Sequence, residues 1–346
     1  MKHILLIGDS LYPEHSTSWT HAWKAGLERR SIPFEYINWN DTGILDAMAR
    51  ADVILHAISH FSTEELKISR QLLIAANLSG KLVFPSLYDL WHFDDKIAQT
   101  ALLKFTNCRH PETILLLNDK DLDPLGQQLS LPVVHKLRGG SGSYNVTKLS
   151  SRVELEKTYQ TMFSSGLHSK PKVFFKIWSS IKSVRSFTDF FTKLLRARDF
   201  HKSYSVAKHL PTDRNYLYLQ KFVAGAEFDL KIVIVNNKLG YLCRHIRSND
   251  FRASGSNDIF YDRSLVSNDV IQECVAAFRA LNMTCAGFDV VIDPNTALPE
   301  ILEVSYGFSH RAIFKCGAYF DLSNQVWVDQ PLDVPIEILK VLSVAD

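Results

Sequence analysis

The first 88 residues switch repeatedly between a hydrophobic period of two and one near 3.6, and this alternation narrows the fold more than any other feature of the chain. Strand-like runs at 3–7, 34–39, 52–58 and 82–84 alternate with helix-like stretches at 19–29 and 64–78. Parallel strands need a crossover between them, which a helix supplies, so the pattern predicts a small parallel βαβ domain over 1–88. Asp94 and Asp95 then precede an apolar-periodic stretch at 97–105. Acidic residues favour a helix N-terminus, so a connecting helix is expected there.

From Val133 the pattern changes to strands around a glycine cluster, Gly139-Gly140-Ser141-Gly142-Ser143, followed by a helix at 153–163. Strands are expected at 216–223 and 229–235, a helix at 270–281, and a last pair of strands at 286–292 and 300–305 around the turn Asp293-Pro294-Asn295. Between them, residues 170–209 carry ten lysines and arginines against Asp189 and Asp199, with Ile177, Ile181, Val184, Phe187, Phe191 and Leu194 at helical spacing. A surface helix packing its apolar stripe on the core explains this basic insertion, and so does peripheral contact with a membrane or another anionic partner. Nucleic acid is not expected, because a formal net charge of +2 gives no strongly basic domain.

Two carboxylates stand out. Asp289 sits in the apolar run Ala286-Gly287-Phe288-Asp289-Val290-Val291 and Glu303 in Ile301-Leu302-Glu303-Val304-Ser305. A buried strand tolerates a carboxylate only when a cation or hydrogen-bond donor meets it. Antiparallel pairing around the turn would bring the two together, and a hard cation such as Mg²⁺, held by one or two carboxylates plus substrate phosphates, would relieve their repulsion. Strand-end positions facing solvent or an arginine are the plainer alternative. Independently, glycines between two strands let backbone N–H groups approach phosphate oxygens, and Lys136 just before them adds a point charge. The strand Gln220-Lys221-Phe222-Val223, leading into Glu227, Asp229 and Lys231, can offer backbone groups to a base edge and a carboxylate to ribose, although an ordinary strand exit accounts for it equally.

The order of these elements, Lys96 opening a helix, Lys136 before a glycine-rich hairpin, the Gln220 strand, an arginine-rich segment, then Asp289 and Glu303-Val304-Ser305, resembles the ATP-grasp superfamily, and most closely its RimK-like ligases. The likeness spans residues 85–310. It implies an α/β ATP-grasp fold, two α+β subdomains gripping ATP behind the small βαβ domain. The divisions expected are 1–88, then 89–222 with the connecting helix, lid and basic insertion, then 223–346 with the metal and acceptor site. By the same resemblance Lys96 and Lys136 contact ATP phosphates and the loop from Gly139 through Gly140, Ser141, Gly142 and Ser143 covers the β and γ phosphates. Gln220 and the backbone of Lys221 and Val223 meet adenine, Glu227 the ribose, and Asp289, Glu303 and Ser305 the Mg²⁺, for which Mn²⁺ can substitute. The family commonly has asparagine where this chain has Ser305, whose hydroxyl is still a magnesium ligand.

The segment from Cys243 to Ser256 resembles the family's D-[FW]-R loop beside the acceptor, here Asp250-Phe251-Arg252, with Ser254 where asparagine is usual. Arg252 and then Arg244 are the catalytic candidates, because a transferring phosphoryl group is stabilised mainly by positioned positive charge. His310 and Arg311 follow the metal strand and are candidates for the substrate pocket.

The implied reaction is ATP-dependent ligation: a substrate carboxylate is phosphorylated to an acyl phosphate, which an amine attacks. Small-molecule, peptide or glycan acceptors all suit it, and a homodimer is compatible with it. Three alternatives share the sequence: an ATP-grasp kinase acting on a hydroxyl, a non-catalytic nucleotide-binding protein, and an esterase of the GDSL type. The last rests on Gly8-Asp9-Ser10-Leu11, with Asp89-Leu90-Trp91-His92 as its only D-x-x-H match, far too early in the chain. The five cysteines are scattered without C-x-x-C spacing, so neither a disulfide framework nor a zinc site is expected. The four aliphatics at 4–7 are too few for a signal-peptide core and no run reaches membrane-spanning length, so a cytoplasmic protein is expected.

Overall fold

The computed structural model describes residues 2–10, 12, 17–59, 62–118, 130–139, 145–168, 212–246 and 258–345. Contacts divide the chain into two compact units, one comprising 1–60, 64–111 and 223–346, the other 61–63 and 112–222. The basic insertion expected at 170–209, the loop residues Gly140, Ser141, Gly142 and Ser143, and Arg252 lie outside the described residues.

The first unit opens with β1 (Ile4–Gly8), α1 (Trp19–Arg29), β2 (Glu35–Asn38), α2 (Ile44–Arg50), β3 (Val53–Leu55), α3 (Thr63–Leu78) and β4 (Leu82–Phe84). All strand pairings are parallel, in the order β2-β1-β3-β4. β1 and β3 are buried at every position, as expected of parallel strands covered on both faces. Helix α1 starts where Ser18 accepts from the His21 N–H, and it buries Trp19, Trp23, Gly26 and Leu27, a stripe at i, i+4, i+7 and i+8. The strand expected at 52–58 ends at Leu55, opposite Phe84, the last residue of β4. His56 beyond it turns its ring inward, Nδ1 lying 3.2 Å from the Ile7 carbonyl and Nε2 3.1 Å from Ser69 Oγ. A short α4 (Leu87–Leu90) and α5 (Lys96–Phe105) follow, the latter capped by Asp95, which accepts from the Ala98 N–H at 3.0 Å.

The second unit contains β5 (Thr113–Leu116), β6 (Val133–Lys136), β7 (Val146–Leu149), α6 (Arg152–Met162), β8 (Leu167–His168), β9 (Thr212–Asp213) and β10 (Leu217–Lys221). Its antiparallel sheet has the order β5-β10-β6-β7, while β8 and β9 pair separately. A capping box, Ser151 with Glu154, starts α6.

The chain then returns to the first unit with β11 (Phe228–Val235), β12 (Lys238–His245), β13 (Ile259–Phe260), α7 (Asn268–Leu281), β14 (Cys285–Ile292), β15 (Pro299–Ser305), α8 (His310–Phe314), β16 (Tyr319–Asp321), β17 (Val326–Val328) and α9 (Val334–Val341). These strands form an antiparallel sheet, β15-β14-β11-β12-β16-β17, with β13 on β12. Ser267 caps α7 and Asn282 ends it in the left-handed region at φ 51°. Residues 1–60 and 64–88 share a compact unit with 223–346, and within it α9 packs on α1. Gly26 permits the close approach: a Cβ there would lie 2.7 Å from Ile336 Cδ1. All five cysteines are free thiols, and among the described residues no helix is long and apolar enough to cross a membrane.

Candidate functional site

The site grows from the register of four strands. β11 pairs with β12 so that Asp229 faces Arg244, and with β14 so that Lys231 faces Asp289; β14 in turn sets Asp289 opposite Glu303 on β15. Directly opposed residues in an antiparallel sheet share a face, and so do residues two apart along a strand. Asp229, Lys231, Arg244, Asp289 and Glu303 therefore project from one side of the sheet.

Their side chains interlock. Lys231 Nζ lies 2.6 Å from Asp289 Oδ1, and Arg244 Nη2 reaches the same oxygen at 2.9 Å. The Arg244 guanidinium also donates to both oxygens of Asp229, each at 2.7 Å, the planar fork-to-fork geometry that makes arginine–carboxylate pairs specific. Asp229, Lys231 and Asp289 are each under 10% exposed. Burial pushes the Asp229 carboxyl up to about 6 against the pull of Arg244. Burial also works on Asp289, but Lys231 and Arg244 outweigh it and hold that carboxyl below its usual range. For Arg244, burial opposes the charge while the two aspartates win, so the guanidinium stays firmly protonated.

Helix α5, which opens at Lys96, packs against β15. β15 is an edge strand, and its outward N–H groups are met by the preceding segment: Val304 N–H donates to Gln99 Oε1 at 3.4 Å and Ile301 N–H to the Arg109 carbonyl at 2.9 Å. Gln99 also donates through Nε2 to the His92 carbonyl at 3.1 Å. At the other end of the same stretch Phe93 closes on Gly307, where an added Cβ would lie 3.1 Å from its ring. Lys96 falls between these two anchors, buried beside the end of β15.

In the second unit, Lys136 ends β6 and Gly139 follows it. Gln220 is buried, its Nε2 donating to Thr113 Oγ1 at 3.3 Å and to the Tyr218 hydroxyl at 3.4 Å. The Lys221 N–H donates to the Glu112 carbonyl at 2.8 Å. Register puts Gln220, Val134 and Lys148 on the face that also carries Lys136. Val223 is half-buried and Glu227 exposed, both assigned with the first unit.

The donor set bears on a metal. Among the described residues no group of three or more His, Cys, Asp or Glu gathers as a cage. Two carboxylates in cross-strand register, Asp289 and Glu303, are instead the set that suits Mg²⁺ bound jointly with phosphate oxygens. Ser305 shares their face, but its hydroxyl donates to the Gly307 carbonyl at 3.2 Å and accepts from the Gly307 N–H at 2.9 Å, so it closes a turn in this structure.

Arg244 lies near the end of β12, where it pairs with Asp229 of β11 and Ile259 of β13. The esterase arrangement does not form: Ser10 turns to Glu65, which accepts its N–H at 2.9 Å, while Asp89 is buried and accepts from the Ser86, Thr284 and Cys285 N–H groups. His92 is buried as well. Asp229 and Lys231, which the sequence places only at the exit of the Gln220 strand, belong to this charged face, and their spacing of two on an apolar strand is the signal for it.

No model of a known protein family matches the chain, and no curated protein matches it in sequence. Among solved structures, D-alanine–D-alanine ligase from Bacillus anthracis superposes with a TM-score of 0.59 at 16% identity, covering 99% of this chain and 99% of that one. D-cycloserine synthetase DcsG gives 0.59 at 12% identity, covering 98% of each chain. The ATP-grasp ligase PsnB, complexed with its minimal precursor, gives 0.56 at 12% identity, covering 99% of this chain and 98% of its own. The chain thus has the fold of the ATP-grasp ligases.

Proposed function

We propose that the protein is an ADP-forming ligase that uses Mg·ATP to phosphorylate a substrate carboxylate and delivers the resulting acyl phosphate to an amine. The observation that carries this reading is the cross-strand face on which Asp289 and Glu303 lie in register while Arg244 and Lys231 converge on Asp289. A ligase of this type must gather polyphosphate charge and then stabilise a phosphoryl group in transfer, and positioned cations do both.

In this reading Lys96 and Lys136 bind ATP phosphates and the loop from Gly139 to Ser143 covers them. Gln220 and the backbone of Lys221 and Val223 meet adenine, and Glu227 the ribose. Asp289 and Glu303 hold Mg²⁺, or Mn²⁺ in its place, with Ser305 as a third ligand only if its hydroxyl leaves Gly307. The metal neutralises phosphate charge. Arg244, fixed by its two bonds to Asp229, presents a permanent cation to the transferring group, and Arg252 neutralises the acceptor carboxylate. The subfamily that fits best is the RimK-like one, acting on small-molecule or peptide substrates. A cytoplasmic location suits its need for ATP and its five free thiols.

The test is ADP release by purified protein with Mg·ATP across pools of carboxylates and amines, with hydroxylamine present to trap the acyl phosphate as a hydroxamate. Asp289→Asn and Glu303→Gln should each abolish hydroxamate formation. A phosphorylated hydroxyl product without hydroxamate would establish the kinase alternative, and failure to bind ATP with magnesium would sink both.

A further inference from the structure

Asp289 is the carboxylate that the proposed chemistry assigns to a metal, yet one of its oxygens already carries two cations, Lys231 at 2.6 Å and Arg244 at 2.9 Å. With Asp229 included, the four paired side chains hold two negative and two positive charges, and Glu303 adds a third carboxylate to the same face. We propose that Lys231 is a displaceable counter-cation that keeps Asp289 and Glu303 from taking a divalent ion alone, and that it passes to phosphate oxygens when a nucleotide brings the metal in. The inference rests on the ligase reading and adds an order of binding to it.

The two cations are not equally held. Arg244 has three hydrogen bonds, two of them to Asp229, and its flat fork is fixed by them. Lys231 has, among the described residues, one salt bridge, and its ammonium sits on a flexible four-carbon stem that can swing. Both lie in a region too buried for solvent to screen their charge well. A divalent ion arriving without a nucleotide would meet the ammonium on the oxygen it needs, at a separation where like charges repel strongly. A triphosphate changes the balance because it brings its own negative oxygens, to which both the metal and the released ammonium can bind. Metal and nucleotide therefore enter together.

The experiment is a Mn²⁺ titration followed by electron paramagnetic resonance of the free ion, with and without ATP, on the full-length protein, on Lys231→Met and on Lys231→Arg. Wild type should bind Mn²⁺ weakly without ATP and tightly with it. Lys231→Met should bind Mn²⁺ without ATP at least tenfold more tightly than wild type, while Lys231→Arg, which keeps the charge, should follow wild type. Equal Mn²⁺ affinity of wild type and Lys231→Met without ATP, weaker binding by that variant, or tight nucleotide-free binding by wild type would each overturn the proposal. Circular dichroism checks each variant's fold, and Lys231→Gln replaces Lys231→Met with the same expectation should the latter not fold. Wild type that binds no nucleotide under any condition refutes the ligase reading itself, a result distinct from any difference between variants in the ATP-free arm.

Discussion

Removing the Asp229 carboxylate should damage the protein chiefly through what it does to Arg244. Asp229→Ala deletes two charge-assisted bonds of 2.7 Å and leaves a guanidinium whose side chain is 12% exposed with Asp289 as its remaining carboxylate partner among the described residues. Breaking a buried ion pair from one side costs about 3–5 kcal/mol, because the surviving charge is left without its partner. Arg244→Met removes the other side at a similar cost. The double variant, having neither charge, avoids much of that penalty, and it also leaves Asp289 paired with Lys231. The two single costs should therefore exceed the double cost by about 2 kcal/mol or more. Urea unfolding followed by tryptophan fluorescence, extrapolated linearly to water, measures all four corners of the cycle. Asp229→Asn, which retains one acceptor, should recover part of both stability and ATP turnover. Additive costs within about 0.5 kcal/mol, the behaviour of independent sites, would show that the geometry has been misread.

Burial pushes Glu65 up to about 7 from an ordinary 4.5, so between those pH values the folded protein keeps a proton that the unfolded chain has released, and stability falls as pH rises through the window. The shift corresponds to about 3 kcal/mol; wild type should lose that much relative to Glu65→Gln between pH 4.5 and 7, and urea midpoints showing the reverse slope would contradict it. The comparison cancels the opposite trend from His92, pushed down to about 4 by burial. Gly287→Ala should cost about 1–3 kcal/mol by overpacking, because the new Cβ would lie 2.8 Å from Phe308 Cδ1 and 3.2 Å from the Ser305 carbonyl; an unchanged unfolding midpoint would count against it. Gln99→Leu removes the acceptor for the Val304 N–H at the edge of β15, so that amide should exchange with solvent faster by hydrogen-exchange mass spectrometry, and unchanged protection would show the edge is held by other groups.

What could be read in advance depended on how far each signal reached along the chain. The helices α1, α3, α5 and α7 each run ten residues or more with an apolar stripe, long enough for the period to show. α2 has seven residues, too few for a period, and α9 buries Val334, Pro335, Ile336, Glu337, Ile338 and Leu339 in succession, so no polar face marks it as a helix. The bounds of β12 are hard to read for a related reason: buried almost throughout, it shows no alternation. Asp289 and Glu303 were legible because a carboxylate on an apolar strand is anomalous by itself. That Lys231 meets Asp289 was not legible, since it follows from β11 lying beside β14, strands separated in sequence by β12, β13 and α7. The Ser305 hydroxyl was beyond reach for the opposite reason, being settled by a turn of three residues.

One irregularity explains how β15 can present Glu303 at all. Asp289 pairs with Glu303 but Val290 pairs with Ile301, so Leu302 is an extra residue on β15 and the pair carries a β-bulge at the site. In a regular strand Ile301, Glu303 and Ser305 would share a face, and Ile301 would project among the charges. The bulge turns it over, so that Ile301 and Val304, three residues apart, both enter the core opposite Val290 and Phe288. Glu303 is left facing Asp289 on the other side. The run Ile301-Leu302-Glu303-Val304 already breaks strict alternation, and the break falls where an apolar core and a charged face have to be served by the same strand.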